Sequence, residues 1–122
     1  MKKIICSALI ICGLMGLLVY VIFQKNHPVS SFISAQKALQ KGQLQEAEIY
    51  LLNALNENPQ NSQALYQLGL IVMKSDENAA IHHFEAALRI RENFPESHRV
   101  LSELYFKRKS YEKAEAMSRQ VL

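Results

Sequence analysis

The chain has 122 residues, enough for a single domain, and its hydrophobic fraction of 49% excludes an intrinsically disordered protein. It carries 14 Lys and Arg against 11 Asp and Glu. Three of these cations, Lys2, Lys3 and Lys25, precede position 28, which leaves 14 − 3 = 11 to cancel the 11 acidic side chains of the remainder. A nucleic-acid-binding domain gathers positive charge on its folded surface, so this distribution excludes nucleic acid as the expected partner.

An apolar run without any charged residue extends from Ile4 to Phe23. Twenty helical residues span about 30 Å, the thickness of a hydrocarbon core, so the run predicts an uncleaved transmembrane anchor at 1–23, followed by a linker at 24–30. A cleaved signal peptide is the alternative, but no small-x-small site follows the run. Ala8, Cys12 and Gly16 form a stripe of small residues that could bring two such anchors together.

The charges beside this run predict its orientation. Lys2 and Lys3 favour a cytoplasmic N-terminus, whereas Lys25 opposes it. The short Met-Lys-Lys start is typical of exported bacterial proteins. We therefore expect a single-pass protein of the bacterial inner membrane whose folded domain lies outside the cytoplasm.

A repeat of about 34 residues governs the rest of the chain. Laid on itself at this period, the sequence aligns small residues. The spacing between aligned residues is 34 in some pairs and 33 in others, and one residue fewer in the turn near 75–78 accounts for this difference. The aligned sets are Ala35, Gly69 and Ser102 in the first half of each unit and Ala47, Ala80 and Ala114 in the second. Small residues at facing positions allow paired helices to pack closely, so we predict helical hairpins.

Helix-capping residues divide each unit into two helices. Two sites are typical of helix ends, Gly42 and Asn58-Pro59. The residues that can begin helices are Asn61 or Ser62, Asp76 or Asn78, and Ser110, and Pro95 suits a first turn. The predicted helices are 31–41, 45–57, 62–74, 78–92, 95–108 and 111–122. They form a domain at 31–122 with units at about 28–61, 62–94 and 95–122.

This pattern resembles the tetratricopeptide repeat family, most clearly in the middle unit. The matching residues there are Leu65, Leu68, Gly69, Ala80, Phe84 and Ala87. The chain departs from the family in having no Trp and in carrying Glu92 where Pro is usual. The resemblance implies an all-α superhelical solenoid of about three hairpins whose concave face, built from the first helix of each hairpin, binds peptides or partner helices.

Mapped onto this sequence, the resemblance implies a partner-binding groove with apolar, amide and charged side chains. Its residues are Phe32, Gln36, Leu39, Gln63, Tyr66, Gln67, Leu70, Met73, Lys74, Arg99, Glu103, Phe106 and Lys107. Some of these side chains could instead belong to the interhelical core. Met117, Val121 and Leu122 form a possible C-terminal interface, because no polar capping helix follows them.

No catalytic, cofactor or metal site is expected. His82 and His83 are adjacent and diverge by about 100° on a helix, so they do not share one ion. No nucleophile motif or phosphate loop is present. We expect a membrane-anchored scaffold or adaptor that binds a protein partner and is not an enzyme. A structural subunit of a membrane complex, which a homo-oligomer could form, and an exported soluble repeat protein are the alternatives.

Overall fold

The computed structural model describes residues 12–20 and 30–121. From Ser30 onward the described chain consists of helices joined by short loops. We number them α1 (Ser31–Gln40), α2 (Leu44–Glu57), α3 (Ser62–Val72), α4 (Glu77–Ile90), α5 (Pro95–Lys107) and α6 (Tyr111–Arg119). Each packs on the next helix in the chain, more extensively within the pairs α1–α2, α3–α4 and α5–α6 than between pairs. The architecture is a stack of three helical hairpins, as the repeat predicts.

The loops show why the helices begin and end where they do. Asn61 Oδ1 accepts a hydrogen bond from the Ala64 N–H at 3.0 Å, and Asp76 Oδ1 accepts one from the Ala79 N–H at 3.0 Å. Both side chains satisfy helical N–H groups that would otherwise lack partners. Ser110, which we expected to cap the last helix, makes no side-chain capping hydrogen bond.

The helices that open the first and third hairpins end in the same way. Gly42 follows α1 with φ at +72°, in the left-handed conformation that only glycine adopts without cost. Lys109, which stands at the matching place after α5, also has a positive φ, 60°. A lysine therefore holds a position that the first hairpin gives to glycine.

Two apolar clusters hold the stack together. Ala35, Leu51, Ala64 and Leu68 join the first hairpin to the second. Ala80, Ile81, Phe84, Leu101, Leu104, Tyr105 and Ala114 join the second to the third. Five of the six small residues that the repeat aligns are buried, and the sixth, Ser102, is half-buried. A Cβ at Gly69 would come within 2.7 Å of the Phe84 ring, so this glycine allows α3 and α4 to approach closely.

The N-terminal prediction is wrong. Among the described residues, no helix combines the length and apolar character needed to cross a membrane. Residues 12–20 are helical, but nine residues rise only about 14 Å, half of a hydrocarbon core. The rest of the predicted anchor, including Ala8, lies outside the described residues. A single-pass location in a bacterial inner membrane is thus contradicted.

Candidate functional site

The first helices of the hairpins share a surface that contains two cavities. The smaller one, the α1/α3 pocket, has a volume of about 160 Å³. Its walls are Leu39, Leu44, Gln67, Leu70, Ile71 and Lys74. Four of these six side chains are aliphatic. A cavity of about 150 Å³ holds a benzene molecule, so this pocket has the size and character to take one apolar side chain.

The second cavity, the α3/α5 pocket, lies between the end of α3 and α5 and has a volume of about 540 Å³. Met73, Lys74, Glu77, Glu103, Leu104 and Lys107 are among its lining residues. Lys74 lines both cavities, which therefore meet at its side chain. We call the two pockets together the groove.

Gln67 gives the α1/α3 pocket its distinctive polar group. Its Oε1 atom is buried and, within the described part of the chain, accepts no hydrogen bond. Leaving a buried acceptor without a donor costs about 1–3 kcal/mol, and native proteins seldom tolerate it without a reason. Because this oxygen has almost no exposed surface, a ligand N–H group reaches it only when the Gln67 side chain turns toward the pocket.

One wall of the α3/α5 pocket is fixed by ion pairs between α4 and α5. Glu77 accepts hydrogen bonds from Lys107 Nζ at 2.7 Å and Arg108 Nε at 2.9 Å. These two hydrogen bonds lower the pKa of the Glu77 carboxyl group below its usual value. Lys107, predicted as a groove residue, is thus engaged with α4 and leaves Lys74 as the more available cation.

The structure divides the predicted groove residues into several groups. Those that line the two pockets are Leu39, Gln67, Leu70, Met73, Lys74, Glu103 and Lys107. Gln36 and Arg99 are exposed, and Gln63 is half-buried. Phe106 lies against Tyr111 with 5.6 Å between ring centroids, at the C-terminal end of the stack.

Tyr66 and Phe32 lie close to the core. The Tyr66 ring packs between Phe84 and Phe94, with centroid distances of 5.7 and 5.1 Å, and burial raises the pKa of its hydroxyl group. Phe32 packs against the first apolar cluster, and Met73, although it lines a pocket, packs against the second. Replacing Tyr66 and Met73 would therefore disturb the fold as well as the groove.

Two walls of the α1/α3 pocket, Leu44 and Ile71, are absent from the predicted set. Leu44 begins α2, and the repeat assigns second helices to the opposite side of each hairpin. In the sequence, Leu44 is an apolar residue two positions after Gly42. In the structure, its side chain is 49% exposed. Single exposed leucines are common on protein surfaces, so the sequence alone did not distinguish Leu44 as a pocket wall.

The C-terminal end of the stack carries a third cavity of about 490 Å³. Ser102, Phe106, Tyr111, Glu115 and Ser118 are among its lining residues, and we call this surface the C-terminal end face. Of the predicted C-terminal interface, Met117 is half-buried against the second cluster, Val121 is 41% exposed, and Leu122 lies outside the described residues.

His83, one of the adjacent histidines, lies half-buried on α4. Burial and, secondarily, the charge of His82 lower the pKa of its imidazole. Within residues 12–20 and 30–121, no three His, Cys, Asp or Glu side chains come together in an arrangement that could bind a metal ion.

Comparison by sequence finds no matching family model and no matching curated protein. Comparison by structure finds helical-repeat proteins. A crystal structure of MamA superposes with a TM-score of 0.67 at 20% identity over 75% of this chain and 54% of the MamA chain. A MamA fragment from Desulfovibrio magneticus RS-1 gives 0.66 at 19% identity over 80% and 56% of the two chains.

A chain of the CopN–Scc3 complex superposes with a TM-score of 0.64 at 17% identity, over 75% of this chain and 54% of that one. The present chain thus spans only about half the length of these structures. The likeness confirms that the chain has a tetratricopeptide-like, all-helical repeat fold.

Proposed function

We propose that the protein is an interaction module whose groove binds an extended or helical segment of a partner protein. The observation that carries this proposal is the α1/α3 pocket, whose four aliphatic walls stand beside the side chains of Gln67 and Lys74. Ligand sites are typically apolar cavities with a few polar groups that fix orientation. We assign the groove a binding role and no catalytic step.

The lining side chains define the segment that would fit. An aliphatic or aromatic side chain of the partner fills the space between Leu39 and Leu70. A backbone or side-chain N–H donates to Gln67 Oε1 after this side chain turns toward the pocket, which removes the cost of the unpaired acceptor. Lys74, exposed where the two pockets meet, favours an acidic residue next to the apolar anchor.

The structural comparisons support a protein as the ligand. One of the similar chains was solved in a complex, that of CopN with Scc3. Identity with the present chain is only 17%. The likeness therefore supports binding of a protein as a use of this fold and does not identify a partner.

To test the proposal, peptides that bind the full chain are selected from a randomised display library. We expect enriched sequences to share one apolar residue beside one acidic residue. Leu70, 39% exposed in the pocket wall, is then changed to Ser, which places a hydroxyl group where the apolar anchor packs. Peptide affinity, measured by fluorescence anisotropy, should fall about tenfold, the effect of losing roughly 1.4 kcal/mol of apolar contact.

Leu52→Ser is the matched control. Leu52 is also an exposed leucine, at 49%, but it lies on α2 and is not among the lining residues of either groove pocket. It should leave peptide affinity unchanged. The proposal is wrong if no peptide is enriched, or if enriched peptides bind the Leu70 and Leu52 variants equally well.

A further inference from the structure

We propose that copies of this chain stack head to tail, with the C-terminal end face of one copy on the N-terminal end of the next. The two contacts between successive hairpins inside the chain provide the template for this stacking. In each contact, the first helix of one hairpin covers the open side of the hairpin before it. Leu68 meets Leu51 in the first apolar cluster, and Leu101 joins Phe84 in the second.

Each end of the stack presents one half of this contact. At the C-terminal end, Ser118 occupies the register position of Leu51 and Phe84. At the N-terminal end, Ser34 occupies the position of Leu68 and Leu101. Both surfaces contain open cavities, of about 490 and 180 Å³. The repeat therefore offers two matched faces, and hydroxyl groups stand where the internal contacts have large apolar side chains.

Charge distinguishes the two faces. The N-terminal end face is lined by Lys37 and Lys41 together with the single acid Glu46. The C-terminal end face is lined by the acids Glu103 and Glu115. Opposite charges on two surfaces favour their encounter and fix their relative orientation.

The register assigns a specific ion pair to this contact. Inside the chain, Leu104 and Ile81 belong to the same buried cluster between the second and third hairpins. Lys37 occupies the place of Leu104, and Glu115 occupies the place of Ile81. A copy stacked with the internal geometry would thus bring Lys37 of one molecule to Glu115 of the other. Inside each copy, Glu115 forms an exposed ion pair with Arg119 at 2.6 Å, which Lys37 of the next copy would share or replace.

A second pairing follows in the same way. Arg108 and Glu77 form an ion pair across the internal contact, with the donor and acceptor atoms 2.9 Å apart. Lys41 occupies the place of Arg108, and Tyr111 occupies the place of Glu77. Tyr111 is 57% exposed and forms an edge-to-face pair with Phe106, which is 66% exposed. The stacked copy would place the Lys41 ammonium group against this aromatic pair, a favourable cation–π contact.

Self-pairing of two C-terminal end faces is less favourable. A two-fold contact would set Glu103 and Glu115 of one copy against the same acids of the other, and like charges in contact are repelled. Exposed ion pairs each contribute little to binding, so the head-to-tail contact should be weak and sensitive to salt.

Sedimentation velocity of the full chain tests this proposal. A non-ionic detergent is included to mask the exposed apolar side chains of residues 12–20. We expect association that grows with protein concentration and weakens in high salt. Lys37→Glu and Glu115→Lys should each weaken it about three- to tenfold, because one attraction becomes a repulsion. The double variant restores opposite charges in exchanged positions and should recover association. Arg89→Glu, a charge reversal on α4, is the control.

A carbodiimide, which joins an amine directly to a carboxylate, provides an independent readout. In a mixture of ¹⁵N-labelled and unlabelled copies, Lys37 of one label should be joined to Glu115 of the other. Association that survives Lys37→Glu would indicate pairing of two C-terminal end faces and overturn the proposal. Failure of the double variant to recover, while circular dichroism shows it folded, would also overturn it, as would the absence of association.

Discussion

Gly69 and Phe84 form a tight contact on which the middle hairpin depends. Phe84 is fully buried, and its ring occupies the space that a Cβ at position 69 would need. The repeat alignment indicated a small residue at this position. It did not indicate that glycine rather than alanine is required, because that depends on the ring position of a residue on another helix.

We predict that Gly69→Ala destabilises the protein even though alanine favours helix by about 1 kcal/mol. The clash with a buried ring costs about 1–3 kcal/mol and outweighs this gain. In a Phe84→Leu background the smaller side chain frees the space, so the same substitution should become neutral or stabilising. Urea denaturation of the four proteins measures the difference. An equal effect of Gly69→Ala in both backgrounds would show that the ring is not the cause.

Gln67 links stability to binding at a single atom. Sequence reasoning placed this residue in the groove through the family resemblance, but burial of its Oε1 and the lack of a donor are properties of packing. No pattern along the chain encodes them. The resemblance likewise could not separate Tyr66, which packs between two phenylalanines, from the residues that line the pockets.

We predict that Gln67→Leu stabilises the free protein by about 1 kcal/mol, because it removes an unpaired buried acceptor at similar side-chain volume. The same substitution should weaken binding of the selected peptides, since their N–H group then lacks its acceptor. Thermal unfolding and fluorescence anisotropy give the two quantities. Loss of stability without loss of affinity would mean that Gln67 is structural and does not contact the ligand.

At the scale of helices and turns, the sequence was most informative. Capping residues and the alignment of small residues predicted each of the six helices within about two residues at either end, apart from the last, which ends at Arg119, three residues before the predicted end at 122. One predicted capping residue does not make the hydrogen bond expected of it. Ser110 precedes a helix as a capping serine should, yet its side chain donates to and accepts from no helical backbone group.

The backbone conformation of Lys109 is unusual for a residue with a side chain. It occupies a left-handed conformation, with φ at 60°, that is costly for a residue with a Cβ. Lys109→Gly should therefore stabilise the turn between α5 and α6 by about 1 kcal/mol. Lys113→Gly, in the first turn of α6, should destabilise the protein by a similar amount because glycine weakens the helix and the contact of the Lys113 ammonium group with the Tyr105 ring is lost. Opposite shifts in melting temperature are expected, and a loss of stability in both variants would contradict the assigned turn geometry.

At the scale of the whole molecule, the repeat was predictable and the N-terminal segment was not. A period of about 34 residues repeats across the hairpins, so many weak signals agreed on one register. The transmembrane prediction used only the length and apolarity of residues 4–23. Among the described residues, only 12–20 of that segment are helical, and no helix is long and apolar enough to cross a membrane.

The cavities could not be predicted from the repeat either. Their shapes depend on how neighbouring hairpins pack, and their walls combine first helices with residues from turns and second helices, such as Leu44 and Glu77. Seven of the thirteen predicted groove residues line the two pockets, and that this surface binds a partner stays a prediction.

The most direct test is to map a selected peptide on the ¹⁵N-labelled full chain by NMR. If the groove is the binding site, the largest amide shift changes will occur around the α1/α3 pocket, at Leu39, Leu44, Gln67 and Leu70, and Leu70→Ser will abolish them. Shift changes confined to the outer side of α2 and α4, or unaffected by that substitution, would contradict the groove as the site of partner binding.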